Sequence, residues 1–199
     1  MDSEHIPAPQ ETENSNRNKP LWHLIFEEVC DWAETFTLAL AVLIIAFMFL
    51  FRYVTVDGES MTHTLEDKDR LIIVNTYGNY KTGDIVVIRV PGRDQPLIKR
   101  VIATEGQTVE INFETWVVTV DGVPLDEPYV RKDRDELLHY WQFYNGPITV
   151  ADGKMFVMGD NRNGSNDSRN PEIGQLDVSQ ALGKVLIRFL PLDKFGTVD

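Results

Sequence analysis

Apolar and polar positions divide the chain into three parts. Residues 35–51, TFTLALAVLIIAFMFLF, run 17 positions without a charge and without a polar face beyond two threonines. At 1.5 Å per residue they reach about 26 Å, and continuation through Arg52 to Val56 reaches about 33 Å. A hydrocarbon core of ~30 Å is crossed if Arg52 snorkels to the interface. A transmembrane helix is therefore predicted over 35–56. A cleaved secretory signal fits poorly, because the preceding stretch is acidic and no small-x-small site follows the apolar run.

Beyond Val56 the pattern becomes one of short β-branched runs separated by turn residues. Strands are predicted at Leu71–Val74, Ile85–Val90, Leu97–Ile102, Val109–Ile111, Trp116–Val120, Met155–Met158 and Val185–Leu190. Asp121-Gly122 between two apolar runs signals a type I′ hairpin. Helical spacing is confined to short pieces such as Asp177–Leu182, closed by Gly183. Residues 126–150, highly charged over Arg131–Glu136, read as an excursion from the sheet. The expectation is a mostly β, multi-stranded domain over 57–199, large enough to bury its own core, behind a single N-terminal transmembrane α-helix.

Charge narrows the partners. The chain has 31 acidic and 19 basic residues, net −12, which argues against nucleic acid as a partner. Residues 1–34 hold eight acids and two bases and so carry half of that charge, as a solvated, partly disordered segment. Cys30 is the sole cysteine, so no intrachain disulfide and no Cys-rich zinc site can form. Arg17 and Lys19 precede the apolar run, while Arg52, Lys68 and Arg70 follow it, so the positive-inside count leaves the topology open.

The common catalytic signatures are missing. There is no G-x-S-x-G, H-E-x-x-H, Walker lysine loop or dinucleotide glycine fingerprint. A calcium loop at 160–165 fails because Arg162 occupies a ligand position. His63 and His139 are the histidines beyond the apolar run, and His63 is too close to Ser60 along the chain for an oriented base. What remains is Ser60 just past the apolar run, Lys99 inside an apolar strand, and the polar loop 159–169. A lysine withdrawn from water loses its preference for the charged form, and a neutral amine can take a proton from a serine hydroxyl.

Four segments give that pair a context. Val56–Leu65 (VDGESMTHTL) resembles the nucleophile box of bacterial type I signal peptidases, and Gly83–Val87 (GDIVV) resembles the box after it. Lys99–Ala103 (KRVIA) with Gly106 resembles the lysine box, and Gly159–Arg169 (GDNRNGSNDSR) resembles the last box throughout. The resemblance spans about residues 30–195 and implies Ser60 as nucleophile and Lys99 as general base. It implies that the Ser60 main-chain N–H helps form an oxyanion hole and that Ser165 orients the Lys99 amine. Asp160, Asp167, Arg169 and Arg100 are implied as structural supports of the loop that carries Ser165. Many relatives have Pro where this chain has His63, so Pro is expected to be tolerated there. Gly58 stands where some relatives carry a hydroxyl that assists the oxyanion hole.

By this resemblance the protein is a Ser–Lys serine protease of the cell membrane, cutting signal peptides from exported preproteins after small residues. No cofactor or metal is implied; the partners are preproteins and the lipid bilayer. The N-terminus is expected in the cytoplasm and the catalytic domain outside. Self-cleaving repressors share the Ser–Lys chemistry but need a DNA-binding region and usually an Ala-Gly or Cys-Gly site, which this chain lacks. A non-catalytic anchored module is disfavoured by the presence together of Ser60, Lys99 and Ser165.

Overall fold

A computed structural model describes residues 21–130 and 146–198. It divides into two compact units, residues 1–47 and 48–199. The first is dominated by one helix, α1, Leu21–Leu50. Within it Ile25–Met48 is long and apolar enough to cross a membrane, and none of that stretch is buried against protein. The helix thus begins earlier and ends sooner than the 35–56 expected. Residues after Leu50 leave the helix because Tyr53, Val54 and Thr55 favour extended backbone and find a strand partner.

The second unit is built on a curled antiparallel sheet. Its strands are β1 Phe51–Thr55, β2 Arg70–Val74, β3 Ile85–Ile88 and β4 Leu97–Thr104. A smaller sheet follows from β5 Thr108–Asn112, β6 Val117–Val120, β7 Val123–Pro124 and β8 Ile148–Thr149. The chain then returns to the main sheet with β9 Lys154–Met158, β10 Leu176–Asp177, β11 Ala181–Leu190 and β12 Gly196–Thr197. The main sheet runs β1-β2-β11-β3-β4-β9-β10, with β12 on β11; the small one runs β7-β6-β5-β8. Asp121 and Gly122 both have positive φ and join β6 to β7 as the predicted I′ turn, with Val120 opposite Val123.

Two predictions fail locally. Asp177–Leu182 is not an α-helix: Asp177 ends β10, residues 178–180 make one 3-10 turn, and β11 starts at Ala181. The capping box of Asp177 and Gln180 supplies the apparent helical signal, but only one turn follows it. Gly183 lies inside β11, where a Cβ would press on the Val74 carbonyl. The charged stretch 131–145 lies outside the described residues, and so does His139.

β4 positions the site. It is buried on both faces from Ile98 to Ala103, because β3 and β9 flank it and separate clusters cover each face. Full burial places Lys99 and Arg100, consecutive and on opposite faces, each 2 % exposed.

Candidate active site

Ser60 sits in the loop that joins β1 to β2. Its neck is closed by bonds from Val56 N–H to the Asp69 carbonyl (2.8 Å) and from Lys68 N–H to the Val56 carbonyl (2.9 Å). Met61 and Leu65 are buried, so the loop is pinned by its own apolar side chains on either side of the exposed turn. Asp67 Oδ1 accepts from Gly58 N–H at 3.0 Å, and Gly58 has φ +95°, a conformation that suits glycine alone. His63 also has a positive φ, +85°. A proline ring fixes φ near −65°, so the tolerance of Pro expected at 63 does not hold for this backbone.

Lys99 reaches Ser60 from the neighbouring strand. Its Nζ donates to Ser60 Oγ at 2.7 Å and to the Ile98 carbonyl at 3.0 Å. Burial lowers its pKa from 10.5 to about 8; Asp167 opposes the shift, while Arg93 and Arg169 add to it. The Ser60 main-chain N–H donates to no group among the described residues. Beside the pair lies a cleft of about 500 Å³, bounded by Val54, Val56, Met61, Pro96 and Ile98. A hollow of about 550 Å³ lined by His63, Tyr129 and Arg188 holds neither Ser60 nor Lys99.

The loop 159–169 packs beneath this pair. Asn161 N–H donates to the Ser60 carbonyl (3.1 Å) and Asn161 Nδ2 to the Glu59 carbonyl (3.1 Å). A Cβ at Gly159 would overlap both Ser165 Oγ and the Ser60 carbonyl, so glycine is what allows the two segments to meet. Ser165 is fully buried, and its Oγ, which bears on the Asp167 carboxylate, is not among the partners of the Lys99 amine, which are Ser60 Oγ and the Ile98 carbonyl. The bond from Ser165 to the Lys99 amine is therefore not formed in this arrangement.

Two buried ion pairs brace the loop. Arg100 Nε and Nη2 donate to the two Asp160 oxygens at 2.9 and 2.8 Å, and Nη1 to the Gly83 carbonyl at 2.9 Å. Arg169 grips Asp167 in the same two-pronged manner, and Gly159 N–H donates to Asp167 Oδ2 at 2.9 Å. Burial alone would raise the Asp167 pKa, but the Arg169 charge and these bonds outweigh it and hold the carboxyl below its usual value.

Some of the bracing was invisible in the sequence. Thr64 Oγ1 donates to Asp160 Oδ2, tying the turn after Ser60 to the Arg100 pair. Glu127 makes a buried pair with Arg162, whose Nε donates to the Gly159 carbonyl at 3.1 Å. Tyr129 stacks its ring 3.7 Å from the Arg100 guanidinium carbon, and burial raises its pKa to about 12. Thr64 lies within the nucleophile box and could have been singled out; Glu127 and Tyr129 lie in no box. Among the described residues no group of His, Cys, Asp and Glu is arranged to hold a metal ion.

Comparison with known proteins gives the family of the chain. The family model described as signal peptidase, peptidase S26, matches residues 29–190. The chain is 33 % identical to signal peptidase I of Bacillus licheniformis over 194 residues, covering 94 % of this chain and 100 % of that one. It is 38 % identical to the probable signal peptidase I-1 of Synechocystis sp. over 180 residues, covering 82 % and 85 %. A crystal structure of a signal peptidase I from Enterococcus faecalis is 27 % identical, covers 53 % of this chain and 96 % of that one, and has a TM-score of 0.43. With the family model matching through all four boxes, and relatives matched over most of both lengths, the chain belongs to the S26 signal peptidase family.

Proposed function

We propose that the protein is a membrane-anchored endopeptidase that removes signal peptides from exported preproteins, with Ser60 as nucleophile and Lys99 as general base. The observation that carries the reading is the 2.7 Å contact between Lys99 Nζ and Ser60 Oγ, made by an amine shielded from water. Lowering the pKa from 10.5 to about 8 raises the neutral fraction at pH 7 roughly 300-fold, to about one amine in ten. The neutral amine takes the hydroxyl proton as Ser60 Oγ attacks the scissile carbonyl. The ammonium then returns a proton to the leaving amine, and water repeats the sequence to release the acyl group. The free Ser60 N–H would stabilise the developing oxyanion.

Substrate geometry follows from the cleft. β1 is an edge strand, so an extended peptide can add beside it with alternate side chains turned into the cleft. The apolar boundary of Val54, Val56, Met61 and Ile98 suits small side chains before the cut. Nine extended steps of ~3.3 Å keep Ser60 within about 30 Å of Phe51, hence near the surface where a signal peptide's own apolar segment leaves the bilayer. The test is Ser60→Ala in detergent with a purified preprotein. Processing is expected to vanish while the circular dichroism spectrum is kept; turnover near wild type would discard the assignment.

A further inference from the structure

A basic hollow lies at one end of the main sheet, distinct from the cleft beside Ser60, although one of its arginines, Arg93, also acts on the Lys99 charge. The pairing register carries one row across the sheet through Phe51, Val74, Lys184, Val86 and Lys99. Strands β3 and β4 continue past that row in the direction that leads from Phe51 back to Leu50. They end in the hairpin tip 89–96, at the same end of the strands as Phe51, the first residue of β1.

That tip is built rather than loose. Arg89 N–H donates to the Gln180 carbonyl at 2.9 Å, Arg93 N–H to the Val90 carbonyl at 3.2 Å, and Val90 is buried. Together with residues 179–182 it encloses a hollow of about 340 Å³, lined by Arg89, Pro91, Arg93, Ser179, Gln180 and Leu182. Both arginines are exposed, and neither guanidinium pairs with a carboxylate among the described residues. Arg100, Arg162, Arg169 and Arg188 each hold a carboxylate, whereas Arg52, Arg70, Arg89 and Arg93 are exposed without one among the described residues, and of these only Arg89 and Arg93 share a hollow. In a chain of net −12, two arginines without an ion pair among the described residues, on one hollow, are placed for an anion from outside. At the same end the loop after β2 packs Gly78 against Val178 and presents Tyr77, 88 % exposed. Arginine and tyrosine together are the side chains of a membrane interface.

We propose that the hairpin Arg89–Arg93 binds the phosphate of an anionic phospholipid headgroup. The planar guanidinium fork matches phosphate oxygens, and an anionic leaflet attracts cations held at its surface. The proposal rests on the membrane-anchored reading of α1. Its consequence is mechanical: Gln95–Lys99, the far arm of the same hairpin, forms one wall of the cleft, so headgroup binding would set that wall against the bilayer.

The test uses the full chain in nanodiscs of phosphatidylcholine alone or with about 30 % phosphatidylglycerol, and reads amide hydrogen exchange over residues 88–97. Exchange is expected to slow at least about fivefold in the anionic discs, and the protection to disappear in ~0.5 M salt and in Arg89→Gln/Arg93→Gln. Inorganic phosphate at ~10 mM added to neutral discs is expected to give none of it. Equal exchange in both discs, or equal protection by inorganic phosphate, overturns the headgroup proposal alone. A chain that fails to co-purify with either disc overturns the anchored reading, and this proposal with it.

Discussion

Lys99 is held where an ammonium is costly. Its folded pKa lies below its unfolded one, so the unfolded chain binds the extra proton between about pH 8 and 10.5 and stability rises with pH across that window. Below pH 8 the full cost, about 3 kcal/mol, is carried by the fold. Asp167 works in the opposite sense: its depressed pKa contributes stability that is complete above the unfolded value of 3.8 and is lost as pH falls through the folded one. The loop that carries Ser60, between β1 and β2, also holds backbone strain at His63, with φ +85°. His63→Pro is expected to destabilise the domain by about 2 kcal/mol or more, whereas His63→Gly should be neutral or better. Thermal unfolding of the two variants in detergent checks the sign of each.

At the scale of elements, legibility followed how local the signal was. The seven predicted strands were readable because their β-branched runs and turn residues are contiguous. β1 was not, because its apolar residues continue those of α1 and hydropathy cannot tell a helix from a strand there. The 3-10 turn at 178–180 carries a genuine cap with no helix behind it. The candidate site was named from four sequence boxes, but which acid meets which base depends on strand register. Glu127 lies 35 positions from Arg162 and in no motif, so only the fold brings them together. Glu127→Ala is expected to cost about 3 kcal/mol, since it leaves Arg162 charged, buried and unpaired beside the Gly159 carbonyl. Chemical denaturation measures that loss; a change under 1 kcal/mol would show that the pair does not brace the loop.

For the whole molecule, one apolar helix, an acidic leading segment and a β domain imply a chain divided by a membrane. Half of the net charge precedes residue 35, yet the basic residues near the helix do not choose a side. We expect residues 57–199 to face outward and the N-terminal segment to be cytoplasmic. Protease added to intact spheroplasts should digest the β domain, and full protection of that domain would reverse the orientation.

The central claim is that a buried, neutral Lys99 activates Ser60, and the pH dependence of kcat/KM on a purified preprotein tests it most directly. The account predicts a rise with pH through an apparent pKa near 8, as the amine loses its proton, and no activity in Lys99→Arg, whose guanidinium stays charged. An active Lys99→Arg enzyme, or a profile governed by a group titrating near 6.5 as a histidine would, contradicts it.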